Sequence, residues 1–261
     1  MRLFDRDGVV TPTLFGQIVL TRGGAVLGDF GEMMREIALA KGLDIGELKV
    51  VAGPYPAEIS GQRAIGMLSE QHPALLVQLS IKNWTQAAED VLSGRADVGL
   101  ADISEASANN DLTTEPVRES VLRFFCRAGH PLANRESLGV DELLDYPWVG
   151  PSAPGRTRKF LPNVQKPFGV FDLANDRFHP RILVETFSAA KQIVAAGNGL
   201  GVALPALVSD ELEEGIFVML PVELPWMRLN YGFISKRGRT QSPSALTFMD
   251  IVRTIDGTIP K

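Results

Sequence analysis

The chain has 261 residues, 45% apolar and 22% charged, with a net charge of −5. This is ordinary globular composition, enough for a buried core and one to three compact units. It excludes DNA binding by the bulk of the molecule, since phosphate contacts need clustered Lys and Arg, and no apolar run reaches the roughly eighteen residues of a membrane span.

The first ten residues hold Arg2, Asp5, Arg6 and Asp7 without an apolar centre, so they do not read as a signal peptide. Residues 13–41 predict one long helix. Phe15, Val19, Val26, Phe30, Met33 and Ile37 recur at spacings of three, four or seven. Pro12 and Thr13 are start signals and Gly42 a stop. Five glycines (Gly16, Gly23, Gly24, Gly28 and Gly31) each cost ~1 kcal/mol against alanine. Packing against a partner helix offsets that cost, and a break near Gly23 and Gly24 is the competing reading.

From residue 47 the pattern becomes β-α-β-α-β: strand Leu48–Gly53, helix Glu58–Gln71, strand Leu75–Ile81, helix Thr85–Ser93 and strand Asp97–Ala101. Such an order builds a parallel sheet with right-handed crossovers. A second α/β block follows. Val117–Cys126 reads as one strand, Val140–Leu144 as a short helix and Trp148-Val149 as a short strand. Residues 150–180, rich in Pro, Gly, Arg and Asn, resist assignment. Ile182–Glu185 reads as a buried strand, Ser188–Ala196 as a helix, Leu200–Leu204 as a strand, Ala206–Glu214 as a helix and Ile216–Leu220 as a strand. Strand Leu229–Ser235 and helix Pro243–Ile255 close the chain, with Ser242 as N-cap and Pro243 in the first helical position. This last pair has no second half of its own and must return to an earlier sheet.

The inventory of catalytic groups is nearly empty. His72, His130 and His179 are far apart, each precedes a proline, and each reads as a histidine at a turn rather than a metal ligand. Cys126, the single cysteine, rules out an internal disulfide, fits a reducing cytoplasm, and sits in an apolar strand as a small hydrophobe. No Gly-x-Ser-x-Gly elbow and no phosphate loop occur. Gly197, Gly199 and Gly201 follow a helix and open a strand, the reverse of a dinucleotide fingerprint. No cofactor, metal or catalytic residue is therefore assigned, and the scaffold points to binding.

Several phrases together resemble those of one known family. At the front, residues 2–6 (Arg-Leu-Phe-Asp-Arg), followed by Thr11 to Gly16, are similar to the family's wing and the opening of its linker helix. His72-Pro73, residues 92–98 (Leu-Ser-Gly-Arg-Ala-Asp-Val) and 129–133 (Gly-His-Pro-Leu-Ala) match recurring family phrases, as do residues 194–205 and 239–243. Their order and spacing over nearly the whole chain make the resemblance specific, and the family that the chain resembles is that of the LysR-type transcriptional regulators. It implies a two-subdomain α/β effector-binding domain of the periplasmic-binding-protein type over residues 46–261. Subdomain I would span about 46–125 and 230–261, and subdomain II about 126–229, with crossings near Arg123–Cys126 and Met227–Tyr231. Residues 13–42 would be the linker and dimerisation helix, and residues 1–12 a remnant of the winged helix-turn-helix domain. The helices that enter the major groove precede the Leu3 phrase in family members. Promoter DNA is thus the partner of the full family pattern, while Arg2 and Arg6 could touch only the DNA backbone. The implied protein is a cytoplasmic homodimer or homotetramer with no membrane partner.

In open parallel sheets ligands bind beyond the carboxyl ends of strands, beside helix N-termini. That rule selects Pro54 to Pro56 with Tyr55, Asn83 to Thr85 with Trp84, and Ala101 to Ile103 with Asp102. Across the cleft it selects Val149 to Ser152 and Thr186 to Ser188 with Phe187. The resemblance implies an effector in the same cleft. Thr85 and Ser188 are N-cap types, and capping and ligand contact both stay open for them. Helix N-termini favour an anion, so a small organic anion is the expected effector, although Asp102 argues against it if it points inward. Two alternatives remain: a transporter's solute-binding protein, and an enzyme on the same scaffold.

Overall fold

A computed structural model describes residues 2–5, 10–41, 46–162, 164 and 166–259. Arg6 and Gly42 lie outside them.

At the front, Phe4–Asp5 and Thr11–Pro12 pair as a two-stranded antiparallel ribbon. The helix Leu14–Lys41 follows unbroken through Gly23 and Gly24. Thr13 caps it, its Oγ1 accepting from the Gly16 N–H at 3.1 Å and donating to the Arg2 carbonyl at 2.8 Å. Gly16 is required here because a Cβ would stand 2.0 Å from the Leu3 carbonyl oxygen. The stripe expected from the sequence stays uncovered within the chain: Phe15, Val19, Val26, Phe30, Met33 and Ile37 are all exposed.

Most of the remaining described chain is organised around two five-stranded sheets. In the first the order is Leu75–Ile81, Gly46–Ala52, Val98–Asp102, Arg228–Lys236, Leu112–Val121. The first three strands are parallel, and Arg228–Lys236 returns antiparallel between Val98–Asp102 and Leu112–Val121. The late strand and helix thus rejoin the early sheet, as their lack of a second half requires. In the second sheet the order is Ile182–Leu183, Trp148–Gly150, Leu200–Ala203, Arg123–Arg127, Phe217–Met219.

The structure corrects four expectations. Val117–Cys126 is two strands in two sheets, Leu112–Val121 and Arg123–Arg127, because the chain changes sheet at Leu122. There the Leu122 N–H donates to the Met227 carbonyl at 2.8 Å, joining the two crossing segments. Ile182–Glu185 shrinks to Ile182–Leu183 at a sheet edge, with Leu183 53% exposed. Residues 150–180 contain a three-stranded sheet, Gly169–Asp172, Arg177–Pro180 and Ala153–Pro154, and a short tight helix, Gly155–Phe160. His179 therefore lies in a strand, not a turn.

Helical packing follows from local signals. Ser242 caps Pro243–Thr258, accepting from the Ala245 N–H at 3.2 Å. That helix buries Phe248, Val252 and Ile255. Its end is pinned to the first sheet by a buried ionic network. Tyr231 Oη donates to Asp256 Oδ1 at 2.6 Å, and Arg118 Nε donates to the same oxygen at 2.8 Å. Arg118 Nη2 also donates to the carbonyls of Asp256 and Ile259 at 2.6 and 2.8 Å. Burial and the neighbouring Asp256 push the Tyr231 hydroxyl far above the ordinary tyrosine range, so it stays a donor. In the second sheet Gly201 admits the Phe125 ring, whose carbons stand 2.4 Å from where a Cβ would be.

Removing one partner of a buried, hydrogen-bonded pair strands the other charge. Asp256→Ala should lower the unfolding free energy by about 3–5 kcal/mol in urea titration. The exposed Arg253–Glu115 pair, 2.8 Å apart, should give less than about 1 kcal/mol on Arg253→Ala. Equal losses for the two would contradict the assigned role of the network.

Candidate functional site

The carboxyl ends of parallel strands in both sheets face one cleft, of about 970 Å³ including its open mouth. The floor is the crossing itself: Leu122 and Met227 to Leu229. One wall comes from the first sheet, where Pro54, Tyr55 and Pro56 follow strand Gly46–Ala52, Asn83 and Trp84 follow Leu75–Ile81, and Asp102 ends Val98–Asp102. The opposite wall holds Trp148 to Pro154 and Val202, and the rim Arg156, Thr157, Leu161, Phe178, Pro180 and Trp226. All three tryptophans of the chain, Trp84, Trp148 and Trp226, line it.

Three polar contacts close the walls on each other. Tyr55 Oη donates to the Val202 carbonyl at 3.0 Å. Burial pushes this hydroxyl far above its ordinary range, and its ring packs 5.6 Å from that of Phe187. Arg156 Nη2 and Nη1 donate to the two carboxylate oxygens of Asp102 at 2.8 and 3.4 Å. Asp102 Oδ1 also accepts from the Ser104 N–H at 2.9 Å. Arg177 Nη2 donates to Thr85 Oγ1 at 2.5 Å, with its guanidinium 5.6 Å from the centre of the Trp84 ring. Beside this contact two buried donors, Trp84 Nε1 and Arg177 Nε, have no partner among the described residues.

Most other polar groups of the lining are already used. Asn83 Oδ1 caps the helix Trp84–Leu92 by accepting from the Gln86 N–H at 3.0 Å. Trp148 Nε1 donates to the Leu143 carbonyl at 3.0 Å and Thr157 Oγ1 to the Pro154 carbonyl at 3.1 Å. Ser152 differs. Its hydroxyl lies 3.0 Å from His179 Nδ1, while His179 Nε2 stands 3.6 Å from Asp172 Oδ2.

Of the residues selected from the sequence, the cleft gathers Pro54, Tyr55, Pro56, Asn83, Trp84, Asp102 and Val149 to Ser152. Six fall outside the lining, Ala101 and Ile103 beside Asp102 among them. Thr85 is held behind Trp84 by Asn83 and Arg177. Phe187 is buried between Tyr55 and Phe125 as support for the wall. Thr186, not Ser188, caps the helix Phe187–Ala196, accepting from the Ala189 N–H at 3.3 Å. Ser188 donates to Thr186 at 3.3 Å. Burial of Phe187 fixes the helix start before it, which moves the cap two residues upstream. Arg2 is exposed at the ribbon, remote in sequence from every lining residue. Sequence reasoning missed Arg156, His179 and Phe178, placed by the small sheet and tight helix in residues 150–180, and Trp226 beside the crossing. Cys126 is buried with its thiol pushed up to about 11 by desolvation, which suits a core residue. His130 is held below its usual range, chiefly by burial, and accepts from the Leu132 N–H at 3.0 Å.

The profile of the LysR substrate binding domain family matches residues 41–255. The SDS degradation transcriptional activation protein of a Pseudomonas species is 30% identical over 267 residues, covering 99% of this chain and 83% of that protein. A probable RuBisCO transcriptional regulator of Synechocystis is 24% identical, covering 95% and 71%. Among solved structures, the CcmR regulatory domain of Synechocystis in complex with 2-PG superposes with a TM-score of 0.62 at 19% identity, covering 83% of this chain and 100% of that one. OxyR of Corynebacterium glutamicum gives 0.60 at 15% identity, covering 98% and 79%.

Tyr55→Phe keeps the ring against Phe187 and removes only the bond to Val202. It should cost about 1 kcal/mol of stability and speed amide exchange in segments 148–154 and 200–204. Exchange in the helix Gln62–Gln71 should stay unchanged. Unaltered exchange at both cleft segments would mean that this bond does not hold the walls together.

Proposed function

This chain belongs to the LysR family of ligand-responsive transcriptional regulators, and we propose that its cleft takes an amphipathic organic anion as effector. The observation that carries this reading is the lining: a floor, wall and rim of Leu122, Met227, Leu229, Leu161, Phe178 and three tryptophans, with polar groups confined to a few positions. A ligand pocket of this kind recovers most of its energy from apolar burial and its orientation from the few polar groups. Asp102 lines the cleft, but Arg156 neutralises it, so it does not bar an anion. The N-terminus of the helix Trp84–Leu92, beside the cleft, favours one. The Pseudomonas relative supports the same chemistry, since SDS is itself an aliphatic chain with an anionic head. The expectation of a small anion is thereby sharpened to one with an apolar tail.

The bound molecule acts as a signal and not as a substrate, in keeping with a family of regulators, which does not favour the transporter reading. Among the described residues no helix is long and apolar enough to cross a membrane. We place the protein in the cytoplasm, with promoter DNA as the partner of the complete family architecture. Residues 46–259 serve as the effector domain, in two subdomains that meet at Leu122 and Met227.

Isothermal titration with alkyl sulfates tests the reading. Each buried methylene contributes about 0.8 kcal/mol, or roughly fourfold in affinity. Octyl sulfate should therefore bind far more tightly than butyl sulfate, and acetate should not register. Equal affinities for the butyl and octyl chains would overturn the proposal.

The helix Leu14–Lys41 supplies the second element of the function. Its stripe, 41–66% exposed at Phe15, Val19, Val26, Phe30, Met33 and Ile37, is covered when two copies pair through it. Light scattering should report a dimer or larger species, weakened by deletion of residues 1–42. A monomer at micromolar concentration would contradict the pairing.

A further inference from the structure

We infer that Ser152, switched by His179 and Asp172, is the residue by which the cleft recognises an anionic head, and that binding of the anion is coupled to proton uptake on His179. The inference rests on the proposed amphipathic effector and concerns how its head is read.

Three residues form a line from the cleft outward. Ser152 lines the cleft, and its Oγ is 3.0 Å from His179 Nδ1. His179 Nε2 is 3.6 Å from Asp172 Oδ2, an ion-pair separation longer than a direct hydrogen bond. Asp172 is itself fixed. Its Oδ2 accepts from Asn175 Nδ2 at 2.7 Å, and its Oδ1 accepts from the N–H groups of Ala174 and Asn175 at 3.0 and 3.2 Å. The Asn175 side chain, followed by the other donors, holds this carboxyl below the usual carboxylate range. Asp172 is therefore a fixed negative charge on the far side of the imidazole.

With Asp172 on the Nε2 side, the tautomer that suits the carboxylate carries its proton on Nε2, which leaves Nδ1 as the nitrogen that faces Ser152. With neutral imidazole, Nδ1 is an acceptor. The Ser152 O–H then donates to it, and only oxygen lone pairs face the cleft. With imidazolium, the Nδ1–H donates to Ser152 Oγ, and the serine O–H is free to donate into the cleft. An anionic head needs a donor, so it selects the second state. The proton comes from solvent, lodges on Nδ1, and leaves again when the anion departs. An uncharged alcohol can use either state and carries no such requirement.

Other charged groups around His179 are accounted for. Asp172 and Arg177 face each other in register on the paired strands, and Arg177 is turned to Thr85 and Trp84. Arg156 is engaged with Asp102. Among the described lining residues Asp102 is the carboxylate that an anion could displace from Arg156, so the test separates it from His179.

Octyl sulfate suits the experiment because the head does not itself titrate. Titration calorimetry near neutral pH in phosphate and in Tris, which differ in ionisation enthalpy, reads proton uptake directly. Wild type should take up a proton fraction with octyl sulfate and none with 1-octanol. His179→Gln should abolish the uptake and weaken octyl sulfate roughly tenfold, with 1-octanol unaffected. Ser152→Ala should do the same, whereas Ser152→Thr, which keeps the hydroxyl, should restore both. Asp102→Asn should leave the uptake in place. Tight binding of octyl sulfate without proton uptake in wild type, or uptake that survives in His179→Gln, would overturn the inference while leaving the amphipathic effector intact. Failure of octyl sulfate to bind at all would instead overturn the reading of the effector.

Discussion

Leu122 gives its N–H to the carbonyl of Met227 at 2.8 Å, and the rest of the molecule is arranged around that bond. The chain passes between the two sheets beside these residues, leaving Leu112–Val121 for Arg123–Arg127 and returning into Arg228–Lys236. Crossing strands of this kind oblige the carboxyl ends of the parallel strands in both sheets to open on a common gap, with the crossing as its floor. Ligand-binding position is thus a consequence of topology before any side chain is considered.

What fills the gap decides its chemistry. The walls bring hydroxyl, carboxylate and guanidinium groups together across the lobes, and nearly all of these are satisfied by protein partners. Tyr55 reaches Val202, Asp102 reaches Arg156, and Thr85 reaches Arg177. Buried donors at Trp84 Nε1 and Arg177 Nε remain without partners among the described residues, and such groups carry a desolvation cost of about 1–3 kcal/mol each. Three specific contacts thus join the walls, and two buried donors beside one of them lack partners among the described residues. A gap joined in this way is suited to a domain whose lobes respond to an occupant, because a modest differential in ligand affinity can shift the equilibrium.

The fold was legible in the sequence wherever local signals and burial agree. Ser242-Pro243 announces the last helix, and the β-α-β-α-β run from residue 47 yields the parallel half of the first sheet. The long helix was also readable from its stripe, although nothing in its sequence shows what covers that stripe. Legibility failed where tertiary context overrides local pattern. Val117–Cys126 is uniformly strand-like, and only the pairing of Leu122 with Met227 divides it between two sheets. Thr186 and Ser188 both suit a helix start, and the burial of Phe187 decides between them. Arg156 and His179 were invisible, and with them the partner of Ser152, because Pro- and Gly-rich turns carry little periodicity. Their alignment depends on pairing between residues more than twenty positions apart, as at Phe178 and Ala153. The strand-end rule nonetheless found ten of the lining residues, since it follows from topology and not from composition.

The three tryptophans offer the most direct test of the central claim that the apolar cleft is where the effector sits. Trp84, Trp148 and Trp226 are the only ones in the chain, and all line that cleft, so intrinsic emission reports its occupancy without a label. Octyl sulfate titrated into the protein, with calorimetry run in parallel, should produce a saturable blue shift whose midpoint matches the heat of binding. Saturable heat with unchanged tryptophan emission would place the ligand elsewhere and contradict the account.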